Sequence, residues 1–579
     1  MRSIYLMLMI FLSFFILTTG CKKDVMDQSP PTRLSDANYW NSASDLQLYA
    51  NNFYGFLPSY GGFGNQGIYS IDNNSDNLVS VAYDRRLAGE NTINNSGTFG
   101  AGNWSQIRNV NYFLANYSKV KDSWANISTY VGEAYFFRAW LYFNSLRTTG
   151  ALPWINKPLN VDDSAYLYAE RLPRNIIADS IIADLDNAIA ALKPKSSAAS
   201  MRIYKEYAQA FKARVCLYEG TWEKYHAGDA FGVQGQNGTK YLQLAAGAAD
   251  AVISSAVFDL DNKNVADGYW KIFNQLNYSG SKEVMHWRAY NFTTGPTHNW
   301  QRYLALGAGT GLSKNLVDDY LCKDGLPKAL SPLYQGDATL VKIATDRDPR
   351  LAQTIYLPGY TRVNNSTNTA PQTVFDRPSF DQSNTTYNTT GFQLYKGANP
   401  EWSQYNVAGT DGLIFMRYAE VLLIAAEAKA ELGTFTQADA DATINKLRSR
   451  VGMPPLIIAA IVSDPNWIFP SLSPVLNEVR RERRIELACE GFRFDDICRW
   501  AAAPQLIVNK VPLGAKAAPY ITAFPSLPVN GDGYIQPYKA VNSLTGGYKF
   551  DIGRDYLLPL PILELVANPK LKQNPGNWQ

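Results

Sequence analysis

With 579 residues the chain is long enough for about three or four domain-sized units, or for one large composite fold with a substantial core. Its 54 Lys and Arg against 51 Asp and Glu leave a formal charge of +3, without the basic excess that a general binder of nucleic acid or anionic membrane needs. Three His (His226, His286, His298) and five widely spaced Cys offer no transition-metal ligand pattern, so no cofactor is expected, and no Asp-rich loop argues for calcium. Aromatic residues make up 13% of the chain, with 36 Tyr and 13 Trp beside 26 Phe. Tyr and Trp join a large apolar face to a polar tip, so a surplus of them has to be divided between core and surface.

Arg2 precedes an apolar run over residues 4–17, and small residues then lead to Cys21. A run of about 14 is short of the roughly 20 needed to span a bilayer and has the form of a secretory signal. Residues 1–20 are therefore expected to be a signal peptide. The string before Cys21 resembles a lipoprotein box, which makes Cys21 the expected lipidation site. Residues 21–32, beginning Cys21-Lys22-Lys23-Asp24, read as a flexible tether.

The mature chain, residues 33–579, reads as a single composite domain. Residues 131–147 are aromatic on nearly every side, which predicts a helix buried among helices and ended by Gly150 and Pro153. Residues 176–192 carry an apolar stripe at Ile177, Ile181, Leu185, Ile189 and Leu192. Helices follow over 204–218, with small residues at Ala208, Ala210 and Ala213, and over 242–257. Residues 417–432 give the clearest helical pattern, stopped by Gly433, and a partner runs over 438–450. Antiparallel helical pairs with small residues at their contacts build tetratricopeptide-like arrays, and four pairs are expected. The fold class is therefore mainly α, with little β.

Between the helices lie irregular regions near 51–104, 285–312 and 356–406, rich in Gly, Asn, Thr and Tyr. Loops this long are functional or disordered, and their aromatics (Tyr54, Tyr60, Tyr83, Tyr360, Trp402) argue against disorder. Gly62-Phe63-Gly64-Asn65-Gln66-Gly67 matches GxGxxG but follows no strand and opens no helix, so it is not a dinucleotide site. Arg480 to Arg484 alternate with Glu478, Glu482 and Glu486 at helical spacing, which reads as a salt-bridged helix surface. Cys489 and Cys498 are close enough in sequence to leave a disulfide open.

Several strings, in order, resemble one family, the SusD/RagB-type nutrient-binding lipoproteins of the Bacteroidetes outer membrane. They are Cys21-Lys22-Lys23-Asp24, Ser75-Asp76-Asn77, GEAYFFRAWLYFNSLRTTGALPW (132–154), LVDDYLCKDG (316–325), RDPRL (347–351), MRYAEVLLIAAEA (416–428), ERRIELACEGFRFDDICRW (482–500) and YLLPLPILELVANPKLKQNPG (556–576). The resemblance implies a helical-pair scaffold carrying a loop-rich ligand-binding face, on a lipid-anchored protein at the cell-surface side of the outer membrane. It also implies an oligosaccharide ligand and a SusC-like TonB-dependent transporter as partner, with no catalysis and no nucleic acid. A lipoprotein glycoside hydrolase and a peptide-binding member of the same family are the alternatives.

A sugar's CH-rich face stacks on Trp or Tyr while its hydroxyls take hydrogen bonds from groups at the rim. In the regions where the family places its binding residues, the candidates are Asp76, Asn77, Arg85, Trp104, Trp287, Tyr290 and Trp300.

Overall fold

The structure is a computed structural model that describes residues 39–60, 72–97, 99–261, 264–364, 373–406 and 408–578. The expected signal peptide, Cys21, the tether and the Gly62–Gly67 string lie outside the described residues. Helix accounts for 42% and strand for 6% of the described residues. No helix among the described residues is long and apolar enough to cross a membrane.

The helical layer begins with α1 (Ala43–Asn51) and α2 (Ala101–Asn116) and continues through α3 (Trp124–Thr149), α4 (Arg174–Ala191), α5 (Lys205–Tyr225) and α6 (Thr239–Ser254). Each helix from α2 onward packs on the next, α6 then meets α9 (Tyr418–Glu431), and α9 packs on α11 (Pro474–Glu486). The aromatic helix predicted over 131–147 is the middle of α3, which is buried along most of its length and ends at Gly150, φ +75°. Gly132 of α3 lets α4 approach, since a Cβ there would lie 2.8 Å from Leu192 Cγ.

Buried arginine–carboxylate pairs pin successive joints of this layer. Arg138 of α3 grips Asp184 of α4 through two bonds of 2.7 and 2.6 Å, and Arg174 of α4 grips Glu219 of α5 at 2.9 and 2.7 Å. Arg214 of α5 holds Glu420 of α9 at 2.6 Å through both nitrogens that face it. Two parallel bonds fix orientation as well as distance, so each pair sets the register of a joint.

Two expectations are corrected. The helix predicted over 438–450 is broken at Thr443 (φ −127°, ψ −89°) into Gln437–Ala442 and α10 (Ile444–Arg450). Thr443 Oγ1 donates to the Asp439 carbonyl four residues back, the kind of local bond that competes with a regular helix. The Arg480–Arg484 run is not a surface: every residue of α11 from Leu476 to Glu486 is buried. Its charges pair with distant elements, Arg480 with Glu431, Arg484 with Asp76, Glu482 with Arg350 and Arg448. Cys489 and Cys498 are both buried free thiols, and burial pushes the Cys498 thiol up to about 12.

Strand content is small. β1 (Val284–Arg288) pairs antiparallel with β2 (Leu413–Arg417), Val284 opposite Arg417, and a second two-stranded sheet joins Thr361–Val363 to Thr373–Val374. The β1–β2 ribbon leads directly into α9 and connects the helical layer to the irregular face. That face carries two short helices, α7 (Trp300–Leu306) and α8 (Trp402–Tyr405), while α12 (Arg493–Arg499) packs on α5 and α13 (Ile562–Ala567) lies near the C-terminus.

Candidate functional site

The three irregular regions meet. Val79 and Gly311 exchange backbone bonds of 2.9 and 3.1 Å, and Val81 N–H donates to Gly309 O at 3.0 Å. The third region joins through Leu312 N–H to Phe392 O, 2.9 Å, and Asn388 Nδ2 to Thr310 O, 2.9 Å. Glycine is required at 311, because a Cβ would lie 2.2 Å from Thr390 Oγ1.

Beside this junction is a buried aromatic cluster. Tyr60 lies 4.2 Å from His298, 5.5 Å from Tyr290 and 6.4 Å from Trp300 between ring centroids, the last nearly parallel at 14°. Tyr60 N–H donates to the Tyr290 hydroxyl at 2.7 Å. His298 is held by a carbonyl and an amide. Its Nδ1 accepts from Trp300 N–H at 3.3 Å while Nε2 lies 3.1 Å from Asp411 O, which makes Nε2 the protonated nitrogen of a neutral ring. Burial holds its pKa down to about 4, against the opposing carbonyl of Asp411.

The solvent side of the cluster is formed by α7 and α8, which pack together. Trp402 and Tyr405 stand one helical turn apart on α8, both half-exposed, and their rings stack at 5.4 Å and 28°. The exposed Arg302 of α7 places its guanidinium 5.8 Å from the Tyr405 ring. Phe292, 75% exposed, stands in the turn that follows Tyr290, where Asn291 Oδ1 accepts from Thr293 and Thr294 N–H.

The platform is fixed from beneath by a polar network. Gln404 Oε1 accepts from Thr410 N–H at 2.6 Å, Asn399 Nδ2 donates to Asp411 Oδ1 at 2.7 Å, and Gln301 Oε1 accepts from Asn399 N–H at 2.7 Å. Asp411 is fully buried, and its Oδ2 makes no hydrogen bond that meets standard geometry. Burial raises its carboxyl to about 7, opposed by the Asn399 and Gln301 amides.

The residues predicted from sequence separate. Tyr290 and Trp300 belong to the cluster but are only 7% and 2% exposed, so neither offers a ring face at the surface. Asp76 and Asn77 are interior. Arg493 bonds both Asp76 oxygens at 2.6 and 2.9 Å, Arg484 takes Oδ2 at 2.7 Å, and Arg484 Nε donates to Asn77 Oδ1 at 3.0 Å. Burial alone would raise the Asp76 carboxyl, but the two guanidiniums outweigh it and hold it below the usual carboxylate range. Trp287, on β1, packs edge-on against Tyr278 at 5.3 Å and covers Gly412. Trp104 is not in a loop at all: it lies in the first turn of α2, edge-on to Phe99 at 5.3 Å, in a separate groove shared with α13. Arg85 is exposed in a turn that Arg86 anchors to the Asp555 carbonyl. Trp402, Tyr405, Arg302 and Phe292 were not singled out as ligand residues. The one signal for the first two is the Trp-x-x-Tyr spacing, which puts both rings on one helix face.

A pinned helical layer that presents stacked aromatics on a rigid loop face has the construction of a ligand-binding protein. The chain belongs to the SusD family, whose model matches residues 271–578, and residues 27–217 match a second model described as starch-binding associating with outer membrane. It is 26% identical to SusD-like protein P2 of Formosa agariphila, over 98% of both chains. The crystal structure of a SusD-like carbohydrate binding protein from Bacteroides fragilis is 23% identical and superposes with a TM-score of 0.70, covering 92% of this chain and all of that one. A laminarin binding SusD-like protein, 19% identical, gives 0.55 over 93% of this chain and all of its own.

Proposed function

We propose that the protein is a surface-exposed outer-membrane lipoprotein, anchored through Cys21, that captures an oligosaccharide and delivers it to a SusC-like TonB-dependent transporter. On this reading residues 1–20 are removed, residues 21–32 are the tether, and residues 33–579 act as one binding domain without catalysis. The observation that carries it is the Trp402–Tyr405 stack, two half-exposed rings held by the Gln404–Thr410 bonds with the Arg302 guanidinium beside them. Stacked rings with a charged donor at the rim match the alternating CH faces and hydroxyls of a glycan. The family membership and the carbohydrate-binding relatives support the ligand class.

The test is a panel of soluble β- and α-glucans and other plant and microbial glycans in affinity electrophoresis and calorimetry. Wild-type protein is expected to be retarded by at least one glycan without releasing reducing ends. The Trp402→Ala/Tyr405→Ala variant should lose at least about tenfold in affinity, as central aromatic anchors do, with an unchanged melting temperature. Unaltered affinity in that variant, or new reducing ends, would overturn the reading. Separately, Cys21→Ala is expected to move the protein from the membrane to the soluble fraction and to abolish labelling by a fatty-acid analogue, followed by fractionation and blotting.

A further inference from the structure

The groove that holds Trp104 takes no part in the ligand face. Its volume is about 420 Å³, and α2, α13 and residues 153–167 form its walls. Arg108 Nη2 donates to the Leu159 carbonyl at 3.4 Å and Asn568 Nδ2 to that of Ala169 at 2.9 Å, which ties the three walls together. The apolar groups of the lining reach solvent: Trp104 and Leu571 are half-exposed, and Tyr166 and Leu167 are 38% and 43% exposed. A contiguous apolar surface of this kind marks a docking site.

Lys157 and Asp163 pair at the rim at 2.6 Å, but Glu564 of α13 has neither an ion pair nor a side-chain hydrogen bond among the described residues. A Cβ on Gly100 would lie 3.6 Å from Glu564 Oε1, so this half-exposed carboxylate stands at the first turn of α2. Burial alone raises its pKa. The described chain begins at the other end of the same helix, where Trp40 packs on Tyr112 and Phe113 with ring centroids 6.0 and 6.1 Å apart. Tyr112, Arg108 and Trp104 succeed one another at four-residue spacing, on one face. From Tyr112 to Gly100 is about 18 Å along the axis at about 1.5 Å per residue. Proline-rich chain extends about 3.1 Å per residue, so the stretch from Tyr39 back to Arg33 spans about 19 Å. Arg33 is the only basic residue between Lys23 and Arg85, and Pro30, Pro31 and Leu34 flank it.

We propose that this groove binds the chain's own residues 30–34, Pro30-Pro31-Thr32-Arg33-Leu34, with the prolines and Leu34 against Trp104, Tyr166 and Leu167 and with Arg33 paired to Glu564. Proline-rich segments suit aromatic-lined grooves because their extended form is already set before they dock. The reach fits, the charges are complementary and the segment is covalently present, so its effective concentration at the groove is high. The docking does not depend on whether Cys21 carries a lipid. On the reading of Cys21 as the anchor, it shortens the free leash to residues 22–29 and holds the α2–α13 edge of the domain toward the membrane.

The experiment uses the full mature protein in detergent, digested briefly with trypsin and followed by mass spectrometry, with a synthetic peptide of residues 22–42 as the undocked reference. The Arg33–Leu34 bond is expected to be cut at least about tenfold more slowly in the protein than in the peptide, because cleavage follows the population of the undocked form. Ala567→Trp, which fills the groove from an exposed position, should bring the rate to within about twofold of the peptide's. Glu564→Gln should raise it about threefold, the worth of one partly exposed ion pair. Both variants should melt at the parent's temperature. In Arg33→Cys/Glu564→Cys a short bismaleimide should join the two new thiols within one chain, while Arg33→Cys/Asp441→Cys, with its second thiol on the exposed Gln437–Ala442 helix, should not link. The proposal is overturned if the protein is cut as fast as the peptide, if slow cutting is unchanged in both groove variants, or if the 33–564 link forms between chains, which would give the groove to a second copy.

Discussion

Glu486→Gln is expected to destabilise the protein by about 3 to 5 kcal/mol, the cost of breaking a buried ion network by removing one charge. Glu486 is completely buried and accepts from three arginines, Arg450 at 2.5 Å, Arg417 at 2.6 Å and Arg350 at 3.0 Å. These belong to elements far apart in sequence: α10, the end of β2 and the one-turn helix Pro349–Ala352. Glutamine preserves the volume but replaces one acceptor by an NH2 that faces guanidinium donors. Burial works to raise the Glu486 carboxyl, yet Arg450, Arg417 and Arg350 overcome it and hold the pKa far below the usual range. The sign follows from linkage. A depressed carboxylate contributes stability that is present above its unfolded pKa of about 4.5 and is lost as pH falls toward the folded value. The difference between parent and variant in urea unfolding should therefore be largest near pH 7 and shrink below about pH 4. A difference under about 1 kcal/mol at pH 7 would show that the neighbouring Glu283, Glu482 and Glu490 neutralise the arginines without it.

Asp411→Asn is expected to act in the opposite direction, and only at higher pH. The parent carboxyl titrates near 7 because burial disfavours its charge. A raised folded pKa gives stability that is fully present below the unfolded value of about 3.9 and is lost as pH rises through the folded value. Three units correspond to a ceiling of about 4 kcal/mol, and relaxation around the site reduces that to about 2. Thermal melts from pH 5 to pH 8 should thus show the variant gaining on the parent with rising pH. A constant offset across that range would mean that Asp411 stays ionised throughout.

The helical layer was legible because its signals are local. Apolar periodicity, Ala at helix contacts and Gly at helix ends located α3, α4, α5, α6 and α9 from the sequence. α2 was not, since AGNWSQIRNVNYFLAN mixes Asn and Gly with a weak apolar stripe and is stabilised by packing on α3. Charge was the least legible feature. The alternating Arg and Glu of α11 read identically whether solvated or buried, and what distinguishes the two is Arg350, Arg448 and Asp76, over 30 to 400 residues away. Asp76 looked like a sugar-binding carboxylate for the same reason, its partners Arg484 and Arg493 being invisible to local pattern. The three irregular regions meet in the structure through backbone bonds that no local pattern announces, whereas the Trp402–Tyr405 stack sits on a four-residue helix too short to show a period.

The junction of Val79, Gly311 and Phe392 has a consequence for the order of assembly. Contacts within the helical layer up to α6 join neighbours in sequence, while this junction closes loops of more than 230 and 300 residues. Long loops close slowly, and synthesis proceeds from the N-terminus. The scaffold up to α6 is therefore complete in its local contacts while Trp402, Tyr405 and Asp411 have yet to arrive. The Trp402–Tyr405 stack is therefore assembled last, and a chain cut short before α8 keeps the scaffold's local contacts but lacks that stack.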